Sequence, residues 1–120
     1  MDERQPWCAA FAAWCLREAV IRRYGSEAAA PFRRCRSPRC FDWVEWAHSQ
    51  PAVDVARSPR PGDICVYKFS HIGIVSETPG GADFLAIEGN TDDSGGREGV
   101  EVARRRRQVR QVLAFLRLPA

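Results

Sequence analysis

The hydrophobic period of this chain changes once, and that change limits what it can fold into. Up to about residue 49 the apolar residues recur at intervals of three and four; from residue 64 they sit in short β-branched and aromatic runs. Between the two lies the proline-punctuated connection "SQPAVDVARSPRPGD". Helices first and strands afterwards predict an α+β domain, with N-terminal helices packed on a small antiparallel sheet. A chain of 120 residues is long enough for one hydrophobic core and too short for two, so a single domain is expected over 1–120.

The first helix is expected from Pro6 to about Arg23. Phe11, Trp14, Cys15 and Ala19 mark its inner face, with Cys8 and Ala12 close by. Proline suits its first turn, where a backbone donor would stay unpaired anyway. After the break "YGSEAAAPF" a second helix is predicted over Pro38 to Ser49, with Ser37 as its N-cap and Phe41, Val44 and Ala47 turned inward. Five strand-like runs follow, at 64–69, 71–77, 84–88, 99–103 and 109–118, bounded by Gly, Pro and Asp turn signals.

No apolar run approaches the roughly 20 residues of a membrane span, and "MDERQPWC" holds no apolar core of a secretory signal. Five cysteines are an odd number, so a monomer keeps at least one free thiol. The net charge of +3 is spread unevenly, with dense basic runs at "RRCRSPR" (33–39) and "RRRR" (104–107). Such runs are either solvated faces or binding surfaces for an anionic polymer, whether nucleic acid, membrane or bacterial envelope.

Two thiols sit in the first helix, and helix geometry separates them. Unsatisfied amides give a helix N-terminus roughly half a positive charge, which favours thiolate over thiol. Cys8 occupies that turn, whereas Cys15 lies two turns on and reads as packing. Of the two histidines, His48 ends the second helix, where an imidazolium is favourable in itself. His71 opens the strand "HIGIV", on the face opposite Ile72 and Ile74. If "TPGG" (78–81) turns the chain, His71 pairs with Glu88, and Phe84, Ala86 and Glu88 share its face while Leu85 and Ile87 join the isoleucines. Asn90, two residues further, projects to the same side if the strand continues. Cysteine, histidine and an orienting polar group form the set a thiol hydrolase requires, although sequence alone does not bring them together.

At these residues the chain resembles a known family. "PWCAAFAAWCL", "RPGDICVY", "SHIGIV" and "IEGNT" are similar, in order, to motifs of the cysteine, histidine-dependent amidohydrolase/peptidase (CHAP) domain, over Gln5 to Leu118. The resemblance implies a papain-like fold related to the NlpC/P60 peptidases, hydrolysis of amide bonds in peptidoglycan, and no organic cofactor. Carried over by position, the nucleophile falls on Cys8, the base on His71, the acid on Glu88 and the neighbouring polar residue on Asn90. Family members commonly have a segment and a helix ahead of the cysteine motif, where this chain has seven residues, so an N-terminally short domain is expected. In the mechanism this implies, the backbone N–H of Cys8 is the expected oxyanion donor and the Gln5 side chain a candidate for the second, unless it points to solvent.

Further expectations are a monomer whose partner is peptidoglycan, with neither nucleic acid nor membrane. It would reach the wall after lysis or by a specialised export route. The span "NTDDSGGREGVE" (90–101) has a loose calcium-loop spacing, and an ordinary Gly/Asp turn is favoured over it. Cys35, Cys40 and His48 supply at most three of the four ligands a structural zinc needs. Two alternatives stay open: a wall-binding module without turnover, and a nucleic-acid binder whose arginines gather on one face.

Overall fold

A computed structural model of the chain describes residues 7–91 and 100–119. Two helices, α1 (Trp7–Tyr24) and α2 (Asp42–Ser49), precede six strands. These are β1 (Asp54–Ala56), β2 (Ile64–Tyr67), β3 (Ile72–Gly80), β4 (Asp83–Thr91), β5 (Val100–Gln108) and β6 (Val112–Arg117). They form one sheet in the order β1-β6-β2-β3-β4-β5, with every neighbouring pair antiparallel. The predicted α+β architecture, helices on an antiparallel sheet, is the observed one. β1 lies inside the stretch read as a connection, and 109–118 divides into a 3-10 turn at Val109–Gln111 followed by β6.

Each face of the sheet carries a buried cluster. On the helical side Cys8, Ala9, Ala12, Leu16 and Val20 of α1 and Trp43 and Ala47 of α2 pack on Ile64, Val66, Ile72, Ala114 and Leu116. On the other side Cys65, Tyr67, Val75, Phe84, Ala86, Val112 and Phe115 form a second cluster. β2 is central and covered twice, which is why "ICVY" is apolar without alternation.

α1 is rotated from the predicted face. Its buried stripe is Cys8, Ala12, Leu16 and Val20, spaced by four, while Trp14 is 59% exposed and Ala19 is exposed. Small residues at Ala9 and Ala12 let the helix axis approach the sheet, and the bulky Phe11 and Trp14 are left outside the centre of the contact. Cys15, expected as packing, is half-buried.

α2 starts four residues later than predicted, and Ser37 is not its cap. Residues 39–44 first wind through i to i−3 bonds, from Asp42 N to Arg39 O, Trp43 N to Cys40 O and Val44 N to Phe41 O. Ser37 braces this turn from outside, accepting from Arg39 N at 3.1 Å and donating to Asp42 Oδ2 at 2.7 Å. Trp43 Nε1 donates to Ser37 O at 3.0 Å, so the indole is the inner anchor and Phe41, predicted inward, is 48% exposed. This turn also points Cys40 into the core, toward the start of α1.

The β3–β4 hairpin keeps the predicted faces with a different register. Ile74 pairs with Ile87 and Val75 with Ala86, so the pairing is slipped by two residues and Gly73, rather than His71, lies across from Glu88. The turn falls at Gly81-Ala82, later than "TPGG" suggests, because Gly80 and Gly81 supply the positive φ values (109° and 74°) it needs. Two irregularities, between Val75 and Glu77 and between Glu77 and Gly80, then restore the parity.

Candidate active site

Cys8 is the second residue of α1, within the turn whose amides lack helical partners. Its sulfur lies 3.4 Å from that of Cys40, and the side chain is 7% exposed. The Cys40 thiol, the His71 ring and the N–H of Ile72 favour the thiolate, and against the cost of burial they bring the Cys8 pKa down to about 5. Cys40 moves the opposite way, since two adjacent sulfurs do not both ionise; it stays a thiol and lends its proton to Cys8.

His71 stands at the head of β3, where the β2–β3 turn is closed by Tyr67 N donating to His71 O at 2.9 Å. Ser70 within that turn has φ +51°, an uncommon value for a residue other than glycine. The imidazole stacks with Tyr67, centroids 5.5 Å apart, and with Phe69 at 6.0 Å. Its Nε2 is 2.8 Å from Glu88 Oε1, which leaves Nδ1 as the ring nitrogen for the thiolate. Burial opposes the charge on the ring, yet Cys8 and Glu88 together raise its pKa to about 9.

Glu88 is fully buried on β4. Gly73 makes its position available: a Cβ there would stand 2.8 Å from Glu88 Cγ. The carboxylate accepts from Tyr67 Oη at 2.6 Å and from both Arg107 Nε and Nη2, at 2.9 and 2.6 Å. Burial would raise its pKa, but Arg107, His71 and Tyr67 hold it at about 2. Arg107 in turn lies over the rings of Tyr67 and Phe69, 5.0 and 5.4 Å from their centroids. Behind Tyr67, Cys65 donates to the phenol oxygen at 3.3 Å, and burial pushes its thiol up to about 12.

Of the residues singled out from sequence, Cys8, His71 and Glu88 therefore lie together. The Asn90 backbone continues β4, paired with Glu101; its side chain, Gln5 and the 92–99 part of the calcium-like spacing lie outside the described residues. His48 is exposed at the end of α2, and the sulfur of Cys40 faces Cys8. Cys40, Tyr67 and Arg107 were missed. The run "RRRR" is divided by strand alternation: Arg104 and Arg106 pair with Glu77 and Asp83, and Arg107 is spent on Glu88. The single basic face that nucleic-acid binding requires is not formed by this run.

A thiolate at a helix N-terminus, faced by a histidine from a sheet that a buried acid orients, belongs to the papain-like class of α+β proteins. The CHAP domain family model matches residues 1–90, three quarters of the chain, and the protein belongs to that family, which is generally hydrolytic on peptidoglycan. The match takes in Cys8, His71 and Glu88, and Arg107 lies beyond it. No curated protein and no solved structure matches the chain.

Proposed function

We infer that this CHAP domain hydrolyses an amide bond of peptidoglycan by way of a thioester on Cys8. The observation that carries the reading is the relay of buried Cys8, half-buried His71 and buried Glu88, with a 2.8 Å bond between the last two. In the resting state the thiolate and the imidazolium form an ion pair. Cys8 Sγ attacks the carbonyl carbon, and the backbone N–H of Cys8, in the first turn of α1, receives the developing oxyanion. His71 Nδ1 then delivers its proton to the departing amine. The ring, now neutral, takes a proton from water, whose oxygen attacks the thioester; release of the acid restores the ion pair. Glu88 holds the ring orientation and stabilises its charged form without itself accepting the proton. Arg107 and Tyr67 keep Glu88 ionised and fixed, which makes them positioning residues.

The bond cut is either that between the lactyl group and the first alanine of the stem peptide, or one within the stem or cross-bridge. Incubating purified peptidoglycan with wild type, Cys8→Ala and His71→Ala, and identifying the new ends by mass spectrometry, decides both questions. New amines on the first alanine mean an amidase, and ends within the peptide an endopeptidase. Both variants are expected to lose at least about 10³-fold in rate. Undiminished release by Cys8→Ala would overturn the assignment.

A further inference from the structure

Cys40 is a buried thiol that the hydrolytic cycle does not consume, and it stands in sulfur contact with the nucleophile. The two residues are 32 apart in sequence and reach each other because the turn at 39–44 winds ahead of α2 and directs Cys40 at the first turn of α1. Both sulfurs are free, at 7% and 2% residue exposure, and are 3.4 Å apart. A disulfide needs about 2.05 Å, so closing the bond requires side-chain movement of little more than an ångström. Two further thiols are buried: Cys65 is engaged with Tyr67 on the opposite face of the sheet, while Cys35 shares the helical-side core with Cys8 and Cys40, whose sulfurs contact each other.

We propose that Cys8 and Cys40 form an oxidative modification site, in which a hydroperoxide converts the nucleophile to a reversible Cys8–Cys40 disulfide that turns hydrolysis off. In the first step the Cys8 thiolate attacks the O–O bond of the peroxide. An S–O bond forms, the O–O bond breaks, hydroxide leaves from hydrogen peroxide (or an alkoxide from an organic hydroperoxide), Cys8 is oxidised to the sulfenic acid and the peroxide is reduced. In the second, the Cys40 sulfur displaces the sulfenic oxygen; the S–S bond forms, the S–O bond breaks, and water leaves carrying the Cys40 proton. Two equivalents of a thiol reductant reverse the change. Cys40 thus acts as a resolving cysteine that intercepts Cys8 before it is oxidised past recovery. The loss of hydrolysis rests on the assignment of Cys8 as nucleophile, whereas formation of the cross-link rests on the sulfur contact alone.

The test separates the two. Reduced wild type and Cys40→Ser are treated with hydrogen peroxide, and each is followed by intact mass, by peptide mapping and by peptidoglycan release before and after dithiothreitol. Wild type is expected to lose about 2 Da, to map a Cys8–Cys40 cross-link, to fall at least about tenfold in its own rate, and to recover with dithiothreitol. In Cys40→Ser, Cys8 is expected to gain about 32 Da as sulfinic acid, without recovery. A wild-type protein in which Cys8 proceeds to the sulfinic acid, or pairs with a cysteine other than Cys40, overturns the proposal. If Cys40→Ser does not fold, the wild-type mapping still decides. A mapped Cys8–Cys40 bond in a protein whose reduced form never cleaves peptidoglycan would leave the modification site standing and remove the hydrolytic reading.

Discussion

Glu88 accepts hydrogen bonds from His71, Tyr67 and both arms of the Arg107 fork, and those bonds keep a fully buried carboxylate ionised. Its pKa falls from the ordinary 4.5 to about 2 on folding, so the stability it contributes is present above 4.5 and is lost as the pH falls through about 2. Removing Arg107 leaves the charge with two partners. Arg107→Ala is expected to lower stability by roughly 2–4 kcal/mol in urea unfolding at pH 7 and to move acid unfolding to higher pH. Arg107→Lys, which keeps the charge and loses the fork, should fall between. Cys8, His71 and Glu88 were legible in sequence because a helix start and strand alternation assign them positions. Arg107 was not, since a run of like charges reads as a solvated face. The signal lay in parity: one alternate pair of the four arginines had to share the face of Phe84, Ala86 and Glu88.

Within the elements, register decides whether the histidine and its acid meet. The predicted hairpin paired them directly; the observed one is slipped by two, which keeps their face and puts Gly73 opposite Glu88. The acid reaches His71 by lying across a residue without a side chain. Gly73→Ala would place a methyl 2.8 Å from Glu88 Cγ and displace the carboxylate. A displacement of that kind is expected to cost on the order of 10²-fold in kcat/KM for peptidoglycan fragments while circular dichroism shows the fold retained. The slip itself was illegible, because the two irregularities that set it are local departures no alternation records. The orientation of α1 was obscured for another reason. With alanine at 9, 10, 12, 13 and 19, the helix has little contrast between faces, and its true stripe is defined by Leu16 and Val20 more than by the larger Phe11 and Trp14. In α2, Pro38 after Ser37 imitated a helix start, while Ser37 instead braces the turn at 39–44 that sets Cys40.

Across the whole molecule the site is a product of layer packing. The nucleophile comes from the helical layer, while the base and its acid come from the sheet, and α1 rests on β3 and β4, which carry them. The change of hydrophobic period could indicate helices over a sheet; it could not indicate that the sheet carries a buried cluster on its other face too, so that the residues beneath His71 and Glu88 are a second core rather than a solvated surface. That core shields the relay from water and strengthens each interaction within it. The account depends on this packing making Cys8 a thiolate. The direct measurement is the rate of Cys8 alkylation by iodoacetamide as a function of pH, with peptide mapping to separate it from the other cysteines. Fast modification is predicted to appear with a midpoint near 5, well below the 9.0 of an ordinary thiol, and to shift upward in His71→Ala. Reactivity that rises only through the ordinary thiol range, with no effect of His71→Ala, would contradict the ion pair and the function built on it.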